Sequence, residues 1–343
     1  MDGSTLLTKK GCGSRTTGAA RVRWRALELV LVVAAAMISP SSALAGELSH
    51  YFPGAVTLRG FFVPPKGVYA SLSLIGYHSD SLRDRNGEDI DTIVVRGQTV
   101  KVDAQVDTYS IAPILIWSSG WKPLGLDYAA ILAVPVGGGG YQAALSRLIG
   151  SGLDRDESPF GLQDIYVQPL WLGREWRSFE LAGSYGFSAP TGKFEPGAAD
   201  NTGLGFWGHQ FRVSGAWYPL DQKRLGIITA VTYELNQKKE GQDLTPGSHL
   251  TLNYGVSRLL WAGRGVVEVG FFGYSQWQVT DDRGADVPEF TRGVRDEIHV
   301  GGAQLGYTFL PQRLNVTGKY LYEYYAEDRF RGHIVSLAVA YKF

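Results

Sequence analysis

From residue 67 to the terminal Phe343, apolar and polar side chains alternate with a period of two, segment after segment. In the last segment Val335, Leu337, Val339, Tyr341 and Phe343 share one face, against Ser336, Ala338, Ala340 and Lys342 on the other. Leu314, Val316, Gly318, Tyr320, Tyr322 and Tyr324 likewise oppose Asn315, Thr317, Lys319 and Glu323. The same holds for Leu250, Leu252, Tyr254 and Val256 against His249, Thr251, Asn253 and Ser257. Phe179, Leu181, Tyr185 and Phe187 against Ser178, Glu180, Ser184 and Ser188 give a fourth example. A helix would repeat its apolar residues at i+3 and i+4; a recurrence at i+2 is a strand with two unlike faces. Segments of about ten residues with this dyad pattern are the mark of membrane-crossing β-strands.

The pattern selects the architecture because in lipid every backbone amide needs a partner, which only helices and closed barrels supply. Past residue 45 no stretch is long and apolar enough for a spanning helix. The expectation is therefore an all-β, up-and-down antiparallel transmembrane barrel over 67–343. Turn signals divide it into about twelve strands: 67–77, 99–118, 124–136, 162–172, 177–189, 205–218, 224–236, 247–259, 265–279, 297–309, 314–326 and 332–343. Short connections (119–123, 173–176, 219–223, 260–264, 310–313) alternate with longer or more polar ones (78–98, 137–161, 190–204, 237–246, 280–296, 327–331). Short periplasmic turns and longer extracellular loops follow this plan, and an even strand count puts both ends of the barrel on the short-turn side.

Residues 1–45 read as a cleaved signal peptide, which makes the destination the bacterial outer membrane. Arg15, Arg21, Arg23 and Arg25 precede the apolar run 29–38, Pro40 breaks the chain, and Ala43-Leu44-Ala45 supplies a small-x-small cleavage pattern. The apolar run is too short for a membrane anchor. Cleavage removes six basic and two acidic residues from 33 of each, leaving 27 basic against 31 acidic, and takes away Cys12, the one cysteine. Near-balanced charge argues against nucleic acid as a partner. The absence of cysteine excludes disulfides and Cys-based zinc sites.

Tryptophan gives an independent sign of the bilayer. Trp117, Trp121, Trp171, Trp176, Trp217 and Trp261 lie in or beside the short turns, as an aromatic girdle at one interface requires. Phe343 completes an outward aromatic row at the end of the last strand, and such a terminal aromatic resembles the signal read by the barrel assembly machinery. Outer-membrane lipid and lipopolysaccharide are the surrounding partners this reading implies.

Polar parity turns Asp127, Asp164, Glu180, Arg212, Glu234, Glu268, Lys319 and Glu323 toward the lumen, since Arg or Lys facing lipid at mid-depth costs roughly 2–4 kcal/mol. These charges make either an internal salt-bridge lattice or a polar stripe lining a solute path. Twelve strands are too few for a wide aqueous hole. Residues 46–66, with Tyr51, Phe52, Phe61 and Phe62 among three prolines, have poor strand potential. They form either a hatch folded into the lumen or a tether on the periplasmic side.

No enzyme signature stands. Gly203-Leu204-Gly205-Phe206-Trp207-Gly208 fits G-x-G-x-x-G without the strand–helix setting a nucleotide needs. The six histidines show no metal spacing, and adjacent Ser248 and His249 point to opposite faces of a strand. The Gly run 137–140 reads as a flexible loop base. The acidic loop holding Asp281, Asp282, Asp286 and Glu289 reads as solvated charge rather than a cation site. No catalytic residue, metal or cofactor is expected.

From about residue 50 onward, the order of motifs resembles the meta-pathway phenol-degradation family of Gram-negative outer-membrane proteins, usually described as transporters. The residues that carry the likeness begin with His50-Tyr51-Phe52-Pro53-Gly54 and Phe61-Phe62-Val63-Pro64-Pro65-Lys66-Gly67. Ala189-Pro190-Thr191-Gly192-Lys193-Phe194, Asn201-Thr202-Gly203 and Phe206-Trp207 follow. Tyr233-Glu234-Leu235-Asn236, Gly247-Ser248-His249, Gly273-Tyr274, Asp281-Asp282, Glu323, Arg329 and Gly332 complete the set. The resemblance implies a porin-like barrel for passive uptake of small hydrophobic or aromatic compounds in the service of their degradation. A structural or adhesive barrel and a lipid-modifying enzyme are the other classes in view.

Overall fold

The computed structural model describes residues 49–95, 98–101, 105–139, 160–198 and 200–343. The signal-peptide reading of 1–45 lies outside them. The described chain closes into a twelve-stranded antiparallel barrel. Its wall consists of β1 (Gly67–Leu82), β4 (Val106–Ser118), β5 (Asp127–Ala133) continued by β6 (Val136–Gly139), and β7 (Phe160–Leu162) continued by β8 (Ile165–Glu175). Eight unbroken strands follow: β9 (Phe179–Ala189), β10 (Gly208–Trp217), β11 (Leu225–Asn236), β12 (His249–Ala262), β13 (Gly265–Gln278), β14 (Glu297–Phe309), β15 (Leu314–Glu327) and β16 (Phe330–Lys342). Each pairs with its sequence neighbour, and β1 pairs with both β16 and β4, so no edge is left. A small hairpin of β2 (Thr92–Val95) and β3 (Gln98–Lys101) stands in the first long loop.

The alternation places side chains as the period demands. Outward residues such as Phe179, Val213, Leu305 and Val335 are exposed where lipid would cover them, whereas Thr251, Asn253, Ser257 and Lys319 are buried within. Because lipid rather than water covers the outside, the wall carries its apolar surface outward, the reverse of a soluble barrel.

The last of the connections expected to be longer or more polar, 327–331, is polar but short: β15 runs to Glu327 and β16 starts at Phe330, with Asp328 at φ +51° making the reversal. Three expectations are corrected. The described part of the Gly run is strand, not loop, with Gly137–Gly139 pairing to Thr108–Ser110; without Cβ atoms these residues allow close backbone approach. Trp171 is not in the girdle. A bulge between Val167 and Leu170, at Pro169, adds a residue to β8 and reverses parity, so the indole turns into the lumen and is 4% exposed. Asp127 keeps inward parity but sits at the strand's first position on the short-turn rim, half exposed and paired with Lys122 Nζ at 2.7 Å.

Trp117, Trp121, Trp176, Trp217 and Trp261 are 42–66% exposed at that rim. Trp121 stacks on Tyr128 and meets Trp117 edge-on, while Arg174 lies over Trp176. Phe343 points outward, edge-on to Tyr341, and its amide donates to Val68 O at 3.0 Å, which closes the barrel at the same rim.

Candidate functional site: a segment held inside the lumen

Residues 49–66 cannot join the sheet: three prolines (Pro53, Pro64 and Pro65) remove amide donors, and the segment's regular structure is a single 3-10 turn, Leu58–Phe61. It lies inside the barrel instead. Its backbone groups, out of bulk water, need partners, since each buried group left unpaired costs roughly 1–3 kcal/mol. The wall's inward side chains supply them. His50 N and Tyr51 N donate to the two oxygens of Glu234, at 2.8 and 2.7 Å. Lys319 Nζ donates to Gly54 O and Val56 O. Leu58 N donates to Gln304 Oε1 at 3.1 Å.

Side chains add further fixing points. His50 Nε2 pairs with Asp164 Oδ2 at 2.9 Å, and Asn253 Nδ2 donates to the Tyr51 hydroxyl at 3.1 Å. Arg59, the segment's lone charge before Lys66, lies 3.3 Å from Glu268 Oε1, donates to Ser257 Oγ and Lys223 O, and covers the Tyr218 ring. Arg212 donates to Thr232 Oγ1 and stands over both Tyr51 and Phe61, at 5.2 and 5.5 Å from the ring centroids. Glu180 accepts from Tyr218 and lies 3.7 Å from Lys223. Below Phe62, Ser118 Oγ and Tyr69 OH donate to Pro64 O and Pro65 O, so the chain crosses the short-turn rim before rising into β1.

Six of the eight charged residues singled out from parity thus touch the segment or the residues bracing it: Asp164, Glu180, Arg212, Glu234, Glu268 and Lys319. Glu323 belongs to a second group nearer the loops, accepting from Tyr77 OH and Gly332 N. Asp127 stays at the rim. The wall charges turn mostly to the inserted segment rather than to one another.

Packing completes the seat. Leu58, Phe61 and Phe62 enter one buried cluster with Trp171, Tyr218, Phe272, Tyr274 and Leu321. A Cβ at Gly255 or Gly270 would fall 2.3 or 2.7 Å from a Leu58 methyl, so the wall has glycine where that side chain presses against it. Phe52 is the one expected hatch aromatic left exposed.

Above the segment, at the base of the long loops, Asp296 links His249 Nε2 (3.2 Å) and Arg329 Nη1 (3.0 Å). Burial pushes the Asp296 carboxyl up, but the Arg329 guanidinium and the His249 bond outweigh it and hold it below the usual range. Burial likewise drives Asp328 up to about 6, with Asp84, Glu327 and Asp296 adding repulsion that Arg85 only partly offsets. Residues that parity did not single out are therefore central: Gln304, Asn253 and Ser257 face inward on strands, while Asp296 lies in a loop where alternation gives no signal. Among the described residues no group of three or more His, Cys, Asp or Glu is placed to hold a metal ion.

Motifs far apart in the chain meet around the upper end of the segment. Asp164 accepts from Gly192 N and Leu204 N as well as His50, Phe206 meets the His50 ring edge-on, Asn236 donates to Gly247 O, and Gly247 N donates to Asp282.

A closed antiparallel barrel with a lipid-facing apolar exterior, occupied by its own N-terminal segment, defines an outer-membrane β-barrel protein. The family model described as MetA-pathway of phenol degradation matches residues 79–339, and the chain belongs to that family. Among solved structures it is similar to an outer-membrane channel from Pseudomonas putida F1, with a TM-score of 0.62 at 11% identity over 86% of this chain and 100% of that one. The β domain of the Bordetella autotransporter BrkA gives 0.47 at 10% identity, covering 81% and 100%. The Pseudomonas putida toluene transporter TodX gives 0.38 at 8% identity, covering 88% and 96%. No curated protein matches the chain by sequence.

Proposed function

We propose that this protein is an outer-membrane channel for passive uptake of small hydrophobic or aromatic compounds, and that residues 46–66 are its hatch. The observation that carries the reading is how the described part of the segment is seated. It is held by side chain-to-backbone bonds from Glu234, Lys319 and Gln304, not by sheet pairing, so it can leave without breaking the barrel. Family membership in phenol degradation and the fold shared with an outer-membrane channel support aromatic solutes as cargo. In the same reading residues 1–45 are the signal peptide that exports the chain. Phe343 then serves the assembly machinery, and the outward long-loop rim meets lipopolysaccharide.

Flux tests this in vesicles whose outer leaflet carries lipopolysaccharide, because bare phospholipid passes small hydrophobic molecules unaided. The expected result is faster entry of phenols and alkylbenzenes than in protein-free vesicles, with little gain for sugars. No gain for any aromatic overturns the reading. Deleting 47–62 is expected to raise small-solute permeability; an unchanged rate overturns the hatch.

A further inference from the structure

The inserted segment does not fill the lumen evenly. On one side of the barrel, inward residues are covered: Ala216 near the lower end of β10, and Ala230 and Thr232 on β11, Asn253 on β12, Phe272 on β13 and Lys319 on β15 along the middle of their strands, are all at most 6% exposed. On the opposite side, inward residues over a similar span of the strands are half-buried. They are Ser110, Ala112, Ile114 and Ile116 on β4, Ile131 and Ala133 on β5, and Ser71 and Ile75 on β1, with Ser73 the covered exception. These residues neighbour one another across the ladder, Ser71 beside Ile114, Ile114 beside Ala133, and Ile116 beside Ile131, so the uncovered surface is continuous.

We infer that the solute path is eccentric, running between the inserted segment and the inner face of β1, β4 and β5, with Ile114, Ile116 and Ile131 selecting apolar solutes. This rests on the channel reading above and adds where the cargo travels. The lining chemistry fits: four isoleucines with Ala112 and Ala133 carry no charge, and Ser71 and Ser110 add only neutral hydroxyls. Transfer of apolar surface onto such a face is favourable by roughly 25 cal/mol per Å². A charged solute would lose hydration here with no partner to replace it. Lower down, Ile116 and Ile131 pack against the cluster that holds Phe62, Ala129 and Trp171, so aromatic rings form the floor on which a solute comes to rest. The bulge that turns Trp171 inward is what places an indole there.

The mature chain is cysteine-free once residues 1–45 are removed, which makes single-cysteine variants clean probes. Protein lacking residues 1–45, in vesicles and carrying Ala112→Cys, Ile114→Cys, Ala216→Cys or Ala230→Cys, is treated with a small neutral methanethiosulfonate. The first two are expected to react at least ten times faster than the last two, and a benzyl reagent at position 112 is expected to cut aromatic flux several-fold. Equal rates on both walls, or undiminished flux after modification at 112, overturn the eccentric path. Ile114→Asn is expected to shift the ratio of alkylbenzene to sugar flux several-fold toward sugar; an unchanged ratio overturns the assigned selectivity. The labelling contrast needs no solute to cross, so a native protein that passes no aromatic compound overturns the channel reading separately.

Discussion

Between β9 and β16 each strand runs unbroken for 10–14 residues, whereas from β4 to β8 the ladder is repeatedly interrupted. β5 stops at Ala133 and resumes as β6 after Val134-Pro135; β7 and β8 are parted by Gln163-Asp164; shifts fall between Ala129 and Ile131 and between Val167 and Leu170. Pro113, Pro135 and Pro169 all lie in this part, and each removes a ladder donor. The continuous wall supplies Glu234, Gln304, Lys319 and Arg212, to which the inserted segment is fixed. The interrupted wall faces open lumen above and an apolar floor below. Most anchors stand on the regular wall; the interrupted wall holds only the two ends of the segment, through Asp164 to His50 and Ser118 to Pro64. Side chains that must hold a peptide at hydrogen-bond distance need a stiff ladder behind them, while a wall along which solute passes does not.

The largest test of this division is Trp171→Ala in the interrupted half. The indole is buried in the cluster that holds Phe62, and its removal leaves a cavity costing about 3–5 kcal/mol. Denaturant unfolding in detergent is expected to show that loss. Flux of apolar aromatics should change with it, while amide exchange at His50 and Tyr51 stays slow. Faster exchange at both amides would mean that floor and anchor are one unit and would remove the contrast between the halves.

Glu234→Ala tests the continuous half. It orphans two backbone donors at once, at about 1–3 kcal/mol each. Water entering the vacated space keeps the sum near its lower end, about 2–3 kcal/mol. The barrel is expected to remain folded while exchange at the His50 and Tyr51 amides rises and small-solute permeability increases toward that of the 47–62 deletion. Glu234→Gln, which keeps one acceptor oxygen, should fall between. If permeability does not move, the segment is held by packing alone.

How much of this was readable beforehand follows from the same contrast. Along β9–β16, where one register shift falls between His299 and Val300, Glu180, Arg212, Glu234, Glu268, Lys319 and Glu323 lie buried or half-buried on the face that parity turns inward, because a period of two admits one register once the charged face is known. Where it is interrupted, parity failed at Trp171, since a bulge adds one residue with no mark in composition beyond the neighbouring Pro169. The glycines at 137–139 read as loop because a residue without a side chain carries no alternation. The partners of Glu234 and Lys319 were not readable at all: they are main-chain amides and carbonyls, which every residue possesses. Asp296 escaped for a third reason, lying one residue outside β14. Its pairing with Arg329 depends on how two loops pack, which strand periodicity does not encode.

The smallest expected effect lies at the seam where the two halves join. Arg83 N donates to Arg329 O at 2.9 Å and Asp328 N to Asp84 O at 3.1 Å, so the β15–β16 turn clasps the loop that follows β1. Asp328 is buried there, its carboxyl raised from 3.8 to about 6. A carboxyl raised on folding favours the folded state fully below about pH 4, and that contribution is lost as pH rises to about 6. The seam is therefore expected to tighten in mild acid, although Asp296, whose carboxyl is held low, contributes in the opposite sense only at lower pH still. Screening at a rim near water keeps the Asp328 contribution to about 1 kcal/mol. Asp328→Asn should abolish the change in the protection factors of the amides of residues 83–91, each taken against its intrinsic exchange rate, between pH 4.5 and 7 while leaving protection at His50 and Tyr51 unaltered. If the variant keeps the pH response, another group titrates at the seam. If it disturbs the segment as well, the clasp and the anchored wall are one mechanical unit rather than two.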